Sequence, residues 1–192
     1  MTSSANSAKT SLSQTKKAHF AKTLGLSIAG SLFLALASQV AIFLPFTLVP
    51  VTMQTLAVFL LGGTLGSRIG ALSVIAYLVE GTCGFPVFAG GVVNPLWFLG
   101  AKAGYLVGFV FAAYLVGKIT EQKSKLSFFQ TLGTVVVAEA VILTSGCLWL
   151  SLFVGFPQSI YAGMLPFLPG ACYKTVSAAC IISGIKVFKR KK

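Results

Sequence analysis

Residues 128–154 read FFQTLGTVVVAEAVILTSGCLWLSLFV, an apolar run interrupted by one charged side chain, Glu139. About 20 apolar residues at 1.5 Å per residue cross the roughly 30 Å hydrocarbon layer of a bilayer, so this run is long enough to span it. Inside the bilayer each backbone amide must bond within its own segment or within a closed barrel. The apolar positions here are continuous rather than alternating, which selects a helix over a strand.

The rest of the chain repeats this pattern. Of 192 residues, 56% are hydrophobic and 9% charged, with a mean hydropathy of +0.89. A soluble domain carries about 25% charged residues, so a soluble enzyme, a disordered tail and a disulfide-stapled secreted module are all excluded. Working outward from the quoted run, the expected helices are Lys22–Leu44, Thr52–Gly66, Ile69–Cys83, Gly104–Thr120, Phe128–Val154 and Pro169–Phe188. The second and third are short for a full crossing, with Gly62-Gly63 as a candidate kink. The fold expected is an all-α membrane protein of six transmembrane helices. A polar N-terminal tail at 1–20 precedes the bundle at 21–188, and a basic tail follows at 189–192. The N-terminal stretch lacks the apolar core and cleavage site of a signal peptide.

The formal net charge of +12 first suggests nucleic acid, but its distribution points elsewhere. With six spans and a cytosolic N-terminus, 13 of the 15 Lys and Arg fall on the inner side. They are Lys9, Lys16, Lys17 and Lys22; Arg68; Lys118, Lys123 and Lys125; Lys186, Lys189, Arg190, Lys191 and Lys192. Cytosolic segments of membrane proteins accumulate Lys and Arg, so both termini are expected in the cytoplasm and the protein in the inner (cytoplasmic) membrane. The basic residues are spread over four segments and form no single face for nucleic acid. The terminal lysine run is suited equally to anionic lipid headgroups and to plain solvation.

Lys102 and Lys174 are left on the outer side. Lys102 reads as an interfacial lysine. Lys174 follows Pro169 and Gly170 in what reads as the first turn of the last helix. There the helix dipole disfavours a cation unless an anion, such as a ligand carboxylate, compensates; snorkelling to the interface is the alternative.

Catalytic chemistry is scarce. There are three glutamates and no aspartate. The chain has no GxxxxGK[ST] loop to cradle a nucleotide and no GxSxG elbow. His19, the single histidine, lies in the N-terminal tail. Cys83, Cys147, Cys172 and Cys180 have no CxxC spacing and sit in apolar surroundings, where cysteine behaves as a small hydrophobe. No enzyme, metal site or cofactor is implied. Glu80 and Glu139 lie in apolar helices, where an ionisable group faces the bundle interior. Glu80, near the outer end of its helix, is the one placed to meet a polar ligand or Lys174.

The outer connections Leu44–Thr52, Cys83–Ala103 and Gly155–Gly170 are apolar, aromatic and nearly uncharged. Such loops fold down over a pocket, and an apolar pocket with few polar anchors is how small-molecule sites are built. Gln54, Asn94, Glu80 and Lys174 are the available anchors, which suit a small, partly apolar molecule with one acidic group. The same apolar loops would serve a membrane scaffold subunit as a partner surface.

The run VPVTMQTLAVFLLGGTLGSRIGALSVIAYLVEGTCGFPVFAGG from Val49 to Gly91 resembles the signature of the BioY biotin transporters, the substrate-binding S-components of energy-coupling factor (ECF) uptake systems. GYLVGFVFAA at Gly104–Ala113 and PFLPG..YK near the last helix extend it. The resemblance implies a six-helix S-component bundle that captures biotin at the outer face. Its implied partners are a transmembrane coupling protein and ATPase subunits. It implies that Lys174 meets the biotin carboxylate, with Thr52 nearby and Tyr77, Phe88, Tyr105 or Tyr173 as the hydrophobic wall. It also implies contact of the first helix with the coupling protein through small residues, Ala37 and Ala41 in one step and Ser27, Ser31 and Ala35 in another. The family's acid three residues before the lysine is Ala171 here. Glu80, Gln54, Asn94 or a backbone carbonyl then takes the ureido ring, or the bundle carries another small vitamin.

Overall fold

A computed structural model describes the backbone at residues 2–45, 47–122 and 126–190, and side chains from Lys17 to Phe188 within those ranges. Lys9, Lys16, Lys123, Lys125 and Lys189–Lys192, counted in the charge argument, have side chains outside the described residues. The chain is predominantly helical: α1 (Thr2–Gln39), α2 (Gln54–Leu65), α3 (Ser67–Thr82), α4 (Ala103–Gln122), α5 (Phe128–Val154), α6 (Phe156–Gly163) and α7 (Leu168–Arg190). Four stretches are long and apolar enough to cross a membrane: Lys17–Gln39, Ala103–Gln122, Phe128–Val154 and Phe156–Phe188. At 1.5 Å per residue the 12 residues of α2 cover only about 18 Å.

Most boundaries fall within a few residues of expectation, and α5 matches at both ends. Its start is written locally, since Ser127 and Gln130 form a reciprocal capping box that satisfies two free N–H groups. Three features differ from the sequence reading. Helix α1 starts at Thr2 rather than Lys22; no Gly or Pro precedes Gly25 to stop it. The connection after it folds into a two-stranded antiparallel ladder, β1 (Ala41–Ile42) on β2 (Val51–Thr52). The segment expected as a loop at Gly155–Gly170 contains α6 and a 3₁₀ turn at Leu165–Phe167.

In lipid the hydrophobic effect does not press helices together, so close packing and interhelical hydrogen bonds must do so. Gly62 provides one such close approach. A Cβ there would lie 2.3 Å from the Ala113 carbonyl oxygen of α4, and one on Gly70 would lie 2.8 Å from Gly62 Cα. No side chain fits where α2, α3 and α4 cross. Helix α4 packs most extensively on α5, and α1 packs on α3. The core holds fully buried Phe59, Val74, Tyr77, Val116, Ile142 and Ile182. Outward-facing positions stay apolar, with Leu36, Phe111, Phe129 and Leu152 all more than 60% exposed, as lipid contact requires.

Polar contacts mark one end of the bundle. Glu121, at the end of α4, accepts from the Ser67 backbone N–H (2.9 Å) and from Ser67 Oγ (2.7 Å), closing the N-terminus of α3. Lys186 Nζ donates to the Thr120 carbonyl. The Arg68 turn, the end of α4 and the end of α7 therefore share that side.

Candidate functional site

A cavity of about 240 Å³ opens among α2, α4, α5, α7 and the connections that follow α1 and α3. The chain holds those connections down by naming specific backbone groups. Ser38 Oγ donates to the Val87 carbonyl (2.6 Å) and Gln39 Nε2 to the Phe88 carbonyl (3.2 Å), tying the end of α1 to the segment after α3. Trp97 Nε1 donates to Thr82 Oγ1 (2.9 Å), and Trp149 Nε1 to the Gly100 carbonyl (3.0 Å). Each bond satisfies a polar group that would otherwise stand unpaired in an apolar setting.

Lys174 lines this cavity and is only 4% exposed. Because α7 begins at Leu168, Lys174 sits in its second turn rather than its first. Its Nζ donates to the Thr52 carbonyl at 3.2 Å, at the end of β2. A single neutral carbonyl is a thin partner for a buried ammonium, whose charge costs several kcal/mol to desolvate, of the order of magnitude known for buried ions. The side chain points inward, not out to the interface. Lys102, expected as a plain interfacial lysine, also lines the cavity. It stands at the rim in the turn before α4, where partial burial lowers its ammonium below the usual lysine range.

Around Lys174 the structure gathers Thr52, Gln54, Asn94, Phe88 and Tyr105. Gln54 is already committed: Thr52 Oγ1 donates to its Oε1 (3.1 Å), and its Nε2 donates to Tyr77 Oη (2.7 Å). Tyr105 donates its hydroxyl to the Gly163 carbonyl and lies 6.0 Å, centroid to centroid, from Phe167. Gly146 makes room for it, since a Cβ there would lie 2.1 Å from the Tyr105 ring. Asn94 is an exposed residue of the rim.

Other expected members lie elsewhere. Tyr77 is fully buried behind the wall, edge-on to Phe88 at 5.6 Å, and does not line the cavity. Tyr173 is 67% exposed and turned away, because consecutive helical residues point about 100° apart. Glu80 faces α1, where its Oε1 accepts from Ser31 Oγ at 2.6 Å; it neither lines the cavity nor meets Lys174. The small residues expected to face a partner are divided between the interior and partly exposed positions. Ser27 and Ser31 are buried inside the bundle, Ala35 and Ala37 pack on its core, and Ala41 belongs to β1 rather than to α1.

Glu139 is a further cavity member that the sequence reading left out. It is 5% exposed, lines the cavity, and interacts electrostatically with Lys174 across it. Its mid-helix position in an apolar run was the available signal. Nothing local in the sequence, however, tells a ligand-facing acid from an internally bonded one.

The arrangement is an apolar and aromatic cavity with a buried cation and a buried acid, fit to hold a small molecule. The family model described as the BioY family matches residues 6–191. The chain is similar to the probable biotin transporter BioY of Rickettsia prowazekii, 28% identical and covering 85% of this chain and 83% of that one. It is 34% identical to the probable biotin transporter BioY of Pyrococcus horikoshii, over 79% of this chain and 90% of that one. For the biotin transporter BioY of Thermotoga maritima the identity is 32%, over 76% and 85%. Among solved structures, the crystal structure of the S-component for biotin from an ECF-type ABC transporter aligns with a TM-score of 0.78 and 28% identity, over 91% of this chain and 93% of that one.

Proposed function

The chain belongs to the BioY family, and from that premise we propose that it captures biotin for uptake as the S-component of an ECF-type transporter. The observation that carries this reading is Lys174, an ammonium 96% buried at an apolar cavity with one backbone carbonyl as its hydrogen-bond acceptor among the described residues. A carboxylate entering the cavity supplies charged acceptors in direct contact, where Glu139 offers Lys174 an electrostatic interaction but no hydrogen bond among the described residues. Biotin combines one acid group with an apolar chain and ring. Phe88 and Tyr105 form the wall beside it, and Thr52 and Asn94 stand near the mouth.

The chain is a multi-pass membrane protein, placed by this proposal in the cytoplasmic membrane. In the proposed topology α1, α2, α3, α4, α5 and α7 each cross once, with both termini in the cytoplasm. The grouping of the Arg68 turn, Glu121 and Lys186 at one end supports it, because the basic residues near them then share the inner side. Energy comes from partners, a transmembrane coupling protein and ATPase subunits, since the sequence carries no nucleotide-binding loop. Lipid surrounds the apolar exterior.

The test is direct titration of the purified protein with biotin, with thiamin and riboflavin as competitors. Saturable biotin binding that neither competitor displaces supports the proposal. Binding of either competitor in preference to biotin, or a different small molecule found by mass spectrometry of the purified protein, overturns it.

A further inference from the structure

Each of the three glutamates has a distinct environment. Glu121 is consumed at the N-terminus of α3 by Ser67. Glu80 is held through Oε1 by Ser31 on the α1 side, and its Oε2, though also without a partner among the described residues, lies away from the cavity. Glu139 lines the cavity at 5% exposure, and its Oε2 has no hydrogen-bond partner among the described residues. Of the neutral polar groups lining the cavity, Gln54 is paired with Thr52 and Tyr77, whereas the Thr55 hydroxyl, like Glu139 Oε2, has no partner among the described residues. Ala171, one turn before Lys174 in α7, offers a methyl group and no acceptor.

A buried carboxylate oxygen without a donor carries an unrelieved desolvation cost. Lys174 offsets the charge across the cavity but leaves that lone pair unfilled. A ligand that brings N–H donors to this wall relieves the cost. We infer that Glu139 of α5 is the acceptor for the ring N–H groups of the bound molecule, a cyclic urea, and so sets the site's specificity for that ring. The inference rests on the biotin reading. It assigns the recognition of the ring to an acid delivered from α5 rather than from α7. A site built around a hydrogen bond rejects ligands that lack the matching group far more strongly than an apolar wall can.

The test titrates the full-length purified chain with biotin and with 2-iminobiotin, whose cyclic guanidinium is a cationic donor. In the wild type the cationic ring is favoured by the carboxylate. Glu139→Gln should weaken biotin by about tenfold or more, as expected for loss of a hydrogen bond to a charged acceptor. The same variant should weaken 2-iminobiotin further still, so the ratio of the two dissociation constants shifts. A purely structural role for Glu139 would weaken both equally. Glu139→Asp keeps the charge but draws it back by one methylene. It should weaken both ligands while keeping their ratio near that of the wild type, and Glu139→Met, which removes charge and acceptor alike, repeats the ratio test if the Gln variant does not fold. Wild-type affinities and ratio in Glu139→Gln overturn the inference and leave biotin capture standing. A wild-type protein that binds no biotin overturns both.

Discussion

Replacing Lys174 with Met tests the proposed grip on the ligand's acid end. The substitution keeps the apolar stem and removes the ammonium, and the site is 4% exposed, so water cannot readily replace the lost charge. A hydrogen bond to a charged partner contributes about 1.5–3 kcal/mol. At about 1.4 kcal/mol per decade, biotin affinity should fall roughly 10- to 150-fold. Stability should respond as well. Removing a buried ammonium relieves its desolvation, while the Thr52 carbonyl, now without its donor at 3.2 Å, costs about 1–3 kcal/mol. Loss of the cation also leaves the buried Glu139 without the charge that offsets its own, and breaking a buried pair in this way costs about 3–5 kcal/mol, so the melting temperature of the unliganded variant should fall. Calorimetric titration in detergent measures the affinity, and biotin methyl ester supplies the control. The wild type should prefer biotin over the ester, whereas Lys174→Met should bind both alike. A folded variant that still prefers the free acid, or binds biotin within twofold of wild type, refutes the reasoning.

Other expectations follow from the same contacts. Glu80→Gln should leave biotin affinity within twofold of wild type, because Glu80 lies off the cavity; Ser31→Ala should instead lower the melting temperature by stripping the donor from that carboxylate, a cost of about 1–3 kcal/mol. Tyr173→Ala, at a 67% exposed position, should bind biotin as the wild type does, and a loss of tenfold or more in titration would return that ring to the site. Gly146→Leu drives side-chain atoms into the Tyr105 ring; overpacking of this kind costs about 1–3 kcal/mol and should weaken biotin binding along with thermal stability. For topology, single cysteines introduced at Lys22 and at Asn94 in a cysteine-free background should react with a membrane-impermeant reagent from opposite sides of the membrane.

Length, hydropathy and charge were enough to identify a helical membrane bundle, because a segment's ability to cross lipid depends on its own residues. The bounds of α5 were equally local, with the Ser127–Gln130 box at its start and Gly155 at its end. Lys174 was also legible, since a cation left on the wrong side of a charge pattern needs a reason. Tertiary structure decided which way neighbouring side chains turned. Tyr77, Glu80 and Tyr173 carry the right chemistry at the right depth, yet α3 spends Glu80 on Ser31 and α7 turns Tyr173 outward. Glu139, an ordinary buried acid by sequence, becomes a cavity wall only when α5 and α7 are packed together. The difference is physical: insertion into lipid sums over contiguous residues, whereas a binding site depends on helix rotation and on hydrogen bonds between segments far apart in the chain.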